Sequence, residues 1–203
     1  KLTNPYITTD YSENLLEFIT PPFNDSEKLM NFLTGLHIFT EKNLEDEYLW
    51  PNSMPAIIHD EKMIKVADYG DANIGKLKTL YRVGLGHRYG KSMQTIAGIH
   101  FNFSIADLYW DKLKKEDDSL TKNKMYMGLI RNFRRYSYLL KFLFGTASSV
   151  HKSFLDNKVH SLKLIGNETY ELENGLSLRV GPLGYTSNSQ ENIQLCFNSV
   201  ENY

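Results

Sequence analysis

The sequence predicts an α+β fold with an antiparallel sheet, and three observations carry that expectation. Residues 93–104 alternate between one face (Met93, Thr95, Ala97, Ile99, Phe101, Phe103) and another (Gln94, Ile96, Gly98, His100, Asn102, Ser104), the period of a half-buried strand. Asn174-Gly175, a strong short-range hairpin signal, separates the strand-like runs 170–173 and 176–180. Helical spacings fall between such runs without the regular strand–helix–strand alternation of a parallel sheet.

The remaining elements follow in order. Leu15-Leu16-Glu17-Phe18-Ile19 has the length and apolarity of a buried strand, with a carboxylate at its centre, and Pro21-Pro22 ends it. Residues 25–43 predict a helix capped by Asp25 or Ser26, with Leu29, Phe32, Leu33, Leu36 and Phe39 as its stripe. Pro51, Pro55 and Gly70 make 50–72 irregular. A second helix over 74–89 presents Leu77, Leu80, Tyr81 and Leu85. The Lys/Asp-rich stretch 111–124 reads as a surface loop. An aromatic-rich core helix over 125–144 ends at Gly145, and 192–197 reads as a strand. Asn198-Ser199 resembles a helix cap four residues before the sequence stops, and Lys1 stands where a methionine would begin a gene product, so the chain reads as cut at both ends.

Composition narrows the class. Of 203 residues, 41% are hydrophobic and 23% charged, which excludes disordered and fibrous chains. A single domain of this length is expected to hide roughly 70% of its unfolded surface. The near balance of 23 Lys+Arg and 24 Asp+Glu leaves no basic footprint for nucleic acid. No apolar run approaches a membrane span, and no leader pattern opens the chain. Cys196 alone forms no internal disulfide, consistent with a reducing, cytoplasmic setting.

Several residues point to chemistry. Gly84-Leu-Gly86-His-Arg-Tyr-Gly90-Lys91-Ser92 looks like a phosphate loop, but only three residues separate Gly86 from Gly90, and the segment closes a helix instead of opening one. Gln94, His100, Asn102 and Ser104 share a strand face that is polar yet carries no Lys or Glu. That face is either solvated or a site, with Gly98 allowing a close approach. A lone histidine such as His100 is more often a satisfied structural residue than a ligand. Glu17 belongs either on an edge facing water or beside a cation, because burying an unpaired carboxylate is costly. Asp10 could equally cap a turn. Together, Asp10, Glu17 and His100 form an oxygen- and nitrogen-rich set suited to Mg²⁺ or Mn²⁺. Arg179 is either a surface residue or a phosphate clamp whose planar fork matches phosphate oxygens. Tyr81-Arg82 is either packing plus solvent or part of a pocket.

Long blocks of this sequence resemble glutamate–cysteine ligase of the proteobacterial type. They are Tyr6-Ile-Thr-Thr-Asp10-Tyr-Ser-Glu-Asn-Leu-Leu-Glu17-Phe-Ile-Thr-Pro21, Trp50-Pro-Asn-Ser-Met-Pro55, Lys78-Thr-Leu-Tyr81-Arg82, Met93-Gln-Thr-Ile-Ala-Gly-Ile-His100-Phe-Asn-Phe-Ser104, Ser177-Leu-Arg179 and Leu183-Gly-Tyr185-Thr. The resemblance implies a glutamine-synthetase-like antiparallel sheet with flanking helices, incomplete at both ends, in a single domain over 1–203. It implies ATP-dependent ligation of the glutamate γ-carboxylate to cysteine through a γ-glutamyl phosphate, the first step of glutathione biosynthesis. Mg²⁺ or Mn²⁺ is then the cofactor, ATP the co-substrate, and the full-length enzyme a monomer.

By position, the resemblance gives Asp10, Glu17 and His100 to the metal, and His100 with Arg179 to the transferring phosphoryl group. Tyr11, Tyr81, Arg82 and Tyr185 fall on the cysteine pocket, with Tyr11 where the family often has Phe. Gln94 and Asn102 fall on the glutamate and nucleotide side. Family members are more than twice as long, carry an upstream pair of metal-binding glutamates and a downstream glutamate and arginine, and lead us to expect no turnover from this stretch alone. Two readings of other kinds stay open: an amino-acid-binding module of the same fold without catalysis, and a carboxylate–amine ligase for another small amino acid.

Overall fold

The structure is a computed structural model that describes residues 3–117, 119–145, 148–155, 159–179, 181, 183–184 and 195–203. It is an α+β arrangement in which every paired strand is antiparallel. The N-terminal part is a two-stranded ribbon under a helix. Strands β1 (Ile7–Thr9) and β2 (Leu16–Phe18) pair with Thr8 opposite Glu17. Helix α1 (Ser26–Glu41) starts at Asp25, whose carboxylate accepts the N–H groups of Glu27 and Lys28 at 2.9 and 3.1 Å. It lies over the ribbon through Phe32 against Tyr6 and His37 against Phe18. Phe39, expected in its stripe, faces out, and Thr40 is the buried residue of that turn.

Helix α2 (Asn73–Tyr89) forms where the sequence places it but docks by another face. Leu77, Leu80 and Tyr81 are exposed, while Gly75 is buried and Thr79 and Arg82 are half-buried. The polar side docks because its groups find backbone partners, as described below. The glycine-rich decoy is the end of this helix: Gly90 is its cap, at φ +83°, and no α-helix begins there.

Residues 93–104 depart from the expected strand. Ser92–Thr95 form one 3₁₀ turn, closed by the Thr95 hydroxyl donating to Ser92 O at 2.7 Å. The chain beyond Ile96 carries no strand pairing up to helix α3 (Asp107–Glu116). A period-two pattern becomes a strand only beside a ladder partner, and none is supplied among the described residues. Ile99 is therefore 98% exposed, with Phe101 and Phe103 also open. The expected loop at 111–124 is in large part α3, because Trp110 and Leu113 supply a narrow inner stripe beneath the Lys/Asp-rich surface. Trp110 packs against Tyr126 of helix α4 (Lys122–Phe144). The aromatic face of α4 does not form the expected core: Met127 is buried, whereas Phe133, Tyr136, Phe142 and Phe144 are exposed.

The C-terminal part contains a three-stranded sheet, β3 (Ser149–His151), β5 (Thr169–Glu171) and β4 (Lys163–Leu164), in that spatial order. The Asn174-Gly175 turn forms, with Asn174 at φ +59° and Gly175 N–H donating to Leu172 O at 2.8 Å. Residues 176–179 of its second arm form no strand, because β3 and β4 already occupy both edges of β5, and Val180 lies outside the described residues. Of the strand expected over 192–197, residues 195–197 are unpaired and 192–194 lie outside the described residues. The main core gathers Ile58, Met93, Ile96, Val150, Phe154, Leu155 and Leu178.

This core is thin for the chain length. The accessible surface is 15,537 Å², whereas a compact monomer of this size exposes about 9,800 Å². The expectation of 70% burial is not met.

Candidate functional site

Asp10 directly follows β1, at the point where that strand meets α2. Its N–H donates to Leu15 O at 2.8 Å, continuing the β1–β2 register, while its own carbonyl accepts Arg82 Nε. Arg82 also donates from Nη2 to Thr9 O at 3.4 Å and from Nη1 to Lys78 O at 3.1 Å. Its guanidinium lies over the Tyr69 ring, 4.6 Å from the centroid. Tyr69, which no sequence pattern singled out, is buried, and its hydroxyl donates to Thr9 O and accepts from Thr9 Oγ1 at 3.1 Å. Thr79 holds the Tyr69 N–H at 3.3 Å and donates to Ala67 O at 3.3 Å. The sequence singled out Asp10 and Arg82 of this cluster, but no pattern pointed to Tyr69 or Thr79.

Tyr11 is 2% exposed and among the most buried side chains. Ala67 N–H donates to its carbonyl at 2.9 Å, and its hydroxyl lies against Gly86, where a Cβ would collide with it. That hydroxyl has no hydrogen-bond partner among the described residues. Burial pushes its pKa above 10.0, and the Glu61 carboxylate adds to the rise.

The carboxylate pair sits on this ribbon. Glu17 is opposite Thr8, and Asp10 follows β1 with its N–H on Leu15 O, which places it diagonally from Glu17 along the ribbon. His100 does not join them: no group of three His, Cys, Asp or Glu side chains able to hold a metal occurs among the described residues. The physical reason is the missing ladder around 96–106, which leaves His100 and Asn102 exposed on a run that nothing aligns with the ribbon. Mg²⁺ is nevertheless commonly held by one or two carboxylates plus substrate phosphates and water. The donor chemistry of Asp10 and Glu17 fits that mode.

Arg179 is brought to the base of the same run. Its Nη1 donates to Ile96 O at 2.9 Å, and a Cβ on Gly98 would lie 2.9 Å from that nitrogen. The glycine thus admits the arginine, where the sequence suggested room for a ligand. Gln94 is buried at the same base, in the 3₁₀ turn. Tyr81 is exposed on α2 beside Arg82, and Tyr185 lies outside the described residues. The structure therefore makes two groupings, Asp10–Tyr11–Arg82 with Glu17, and Arg179 with Gln94 and Gly98.

A family model for glutamate–cysteine ligases matches residues 1–203. The chain belongs to the glutamate–cysteine ligase family. It is 48% identical to a glutamate–cysteine ligase of Saccharophagus degradans and 47% identical to one of Pseudomonas putida, in each case over 100% of this chain and 39% of the relative. A crystal structure of glutamate–cysteine ligase from Francisella tularensis in complex with AMP superimposes with a TM-score of 0.89 at 35% identity, covering 100% of this chain and 40% of that one. The chain thus spans about two fifths of the length of these relatives, and the family resemblance read from its motifs is borne out. No helix among the described residues is long and apolar enough to cross a membrane.

Proposed function

We propose that this chain is a portion of the catalytic domain of an ATP-dependent glutamate–cysteine ligase, with a glutamine-synthetase-like sheet completed in the longer protein. The observation that carries the proposal is the 48% identity to a ligase over the whole chain. The excess accessible surface supports it, because Ile99, Phe101, Phe103, the Leu77–Tyr81 stripe and the aromatic face of α4 await apolar neighbours.

In this reading ATP phosphorylates the γ-carboxylate of glutamate, and the cysteine amine displaces phosphate from the γ-glutamyl phosphate. Asp10 and Glu17 hold Mg²⁺ or Mn²⁺, with His100 joining once the 96–106 run is aligned. Bound there, the ion would neutralise charge on the phosphate oxygens. Arg179 adds a fixed positive charge on the phosphoryl side, where a preorganised donor is worth several kcal/mol. Tyr11, Tyr81, Arg82 and Tyr185 shape the cysteine pocket, and Gln94 and Asn102 face glutamate and nucleotide. Covering the exposed faces excludes water, which would otherwise hydrolyse the acyl phosphate. The enzyme acts as a cytoplasmic monomer on small molecules. By itself the 203-residue chain supplies part of the metal shell and turns over no substrate.

The test is a chimera in which residues 1–203 replace the matching stretch of the Pseudomonas putida ligase. It should release phosphate from ATP and form γ-glutamylcysteine when both amino acids are present, and Glu17→Gln should lower the rate at least 100-fold. A folded chimera that binds ATP yet forms no γ-glutamylcysteine would overturn the proposal.

A further inference from the structure

We propose that Tyr69 is a positioning residue for Asp10: its hydroxyl, together with the Arg82 guanidinium stacked on its ring, captures the Thr9 and Asp10 carbonyls and so sets the direction of the Asp10 carboxylate. The inference rests on the reading above that Asp10 holds a divalent ion.

Successive carbonyls in a regular strand point to opposite edges. Here the carbonyls of Thr9 and Asp10 turn to the same pair of side chains. Tyr69 donates to Thr9 O and lies 3.5 Å from Asp10 O, while Arg82 donates to Asp10 O from Nε and to Thr9 O from Nη2. The chain therefore leaves the extended conformation at Asp10, immediately after β1 ends. On the other side the Asp10 N–H is fixed to Leu15 O. With both backbone polar groups held, the carboxylate keeps only its own side-chain rotations. A ligand held by few protein groups gains most from such restriction, because the ordering cost is met during folding instead of at binding.

Tyr69 can serve this way because it is itself anchored. It is 6% exposed, its N–H is held by Thr79, and its ring is covered by Arg82 and, at 5.3 Å, by the Lys78 ammonium. The Tyr69 hydroxyl is directed at the Thr9 and Asp10 carbonyls, so its effect passes through the backbone of these two residues.

The experiment follows the Asp10 side-chain carboxyl resonance of the ¹³C-labelled chain with Mn²⁺ alone as the probe, since paramagnetic broadening registers weak binding. In the unaltered chain, substoichiometric Mn²⁺ should broaden Asp10 and Glu17 together. Tyr69→Phe should raise the Mn²⁺ concentration needed for equal broadening three- to tenfold. Ser153→Ala, which removes a hydroxyl that accepts from Ile58 N–H at 3.0 Å in the other core, should leave that concentration unchanged. Arg82→Lys, which loses the Nε–H donor to Asp10 O, should move it in the same direction as Tyr69→Phe and replaces that variant should it not fold. Equal concentrations for the unaltered chain and the folded variant overturn the positioning role. No broadening at Asp10 in the unaltered chain, or undiminished broadening at Glu17 in Asp10→Asn, overturns the metal reading instead.

Discussion

Asp10 and His100 come from equally suggestive sequence blocks, yet the chain treats their surroundings in opposite ways. Around Asp10, a ribbon, a buried tyrosine and a helix-borne arginine hold the backbone on both sides. Around His100, eleven residues from Ile96 to Ala106 run without strand pairing, fastened at their base by Arg179 and by Ala97 N–H on Ser53 O at 2.6 Å. The difference is one of contact range. Asp10 is held by residues close to it in the fold, while the run carrying His100 finds no ladder partner among the described residues. Within the described residues, the backbone at Asp10 is held from both sides and the run carrying His100 is held only near its ends.

The largest effect should come from disturbing the held half. A Cβ on Gly75 would lie 2.5 Å from Tyr69 O and 2.8 Å from Gly70 O. Backbone carbonyls cannot yield like a side-chain tip, so Gly75→Ala must shift α2 away from Tyr69. An overpacking cost of about 1–3 kcal/mol is expected, and Arg82 loses its grip on Asp10. Denaturant unfolding measures it; an unchanged midpoint would mean that α2 is not docked as described.

Tyr11→Phe should act in the opposite direction. The hydroxyl is buried against Gly86 without a partner among the described residues, and leaving such a group unsatisfied costs about 1–3 kcal/mol. Removing it should stabilise the chain by about 1 kcal/mol, less any loss of packing at Gly86. A destabilised variant would reveal a partner for the hydroxyl, such as a bound water.

The unheld half should barely respond. Ile99→Ser and Phe101→Ser remove apolar side chains that are already open to solvent, so each should change stability by no more than about 0.5 kcal/mol. In the chimera with the Pseudomonas putida ligase, the same changes should cost several-fold more stability and most of the activity. A large loss in the isolated chain would mean that Ile99 and Phe101 already pack on something.

These contrasts also show what was legible beforehand. Helices α1, α2 and α4 and strand β2 were readable because capping, spacing and proline breaks act over a few residues. The docking face of α2 was not, since Leu77, Leu80 and Tyr81 advertise burial while Thr79 and Arg82 dock through hydrogen bonds that leave no periodic trace. The strand at 93–104 was misplaced because alternation reports which face wants covering, not whether a cover is present. Strand β1 and Tyr69 were missed outright. Ile7–Thr9 is too short for a pattern, and Tyr69 sits in an irregular stretch whose role appears only once β1 and α2 meet it. The sequence singled out the carboxylates Asp10 and Glu17, and the structure places both on the β1–β2 ribbon.

The smallest effect tests whether either half carries the acid sensitivity of the fold. One charge cluster whose carboxylate is shifted lies outside both, beside the C-terminal sheet. Lys152 hydrogen-bonds to Glu168, and His151 Nε2 lies 3.0 Å from the other carboxylate oxygen; both hold the Glu168 carboxyl below its ordinary value of 4.5. A carboxyl whose pKa is depressed on folding stabilises the fold fully above its unfolded pKa and loses that contribution as pH falls through the folded value. The thermal midpoint should therefore decline from about pH 4.5 downward, and Glu168→Gln should flatten that decline without changing its sign, because Asp117 and Glu201 are depressed in the same way. Glu168 is exposed to solvent, so added salt should also shrink its share. Parallel midpoint curves for the unaltered chain and Glu168→Gln would show that this cluster contributes nothing to the acid sensitivity.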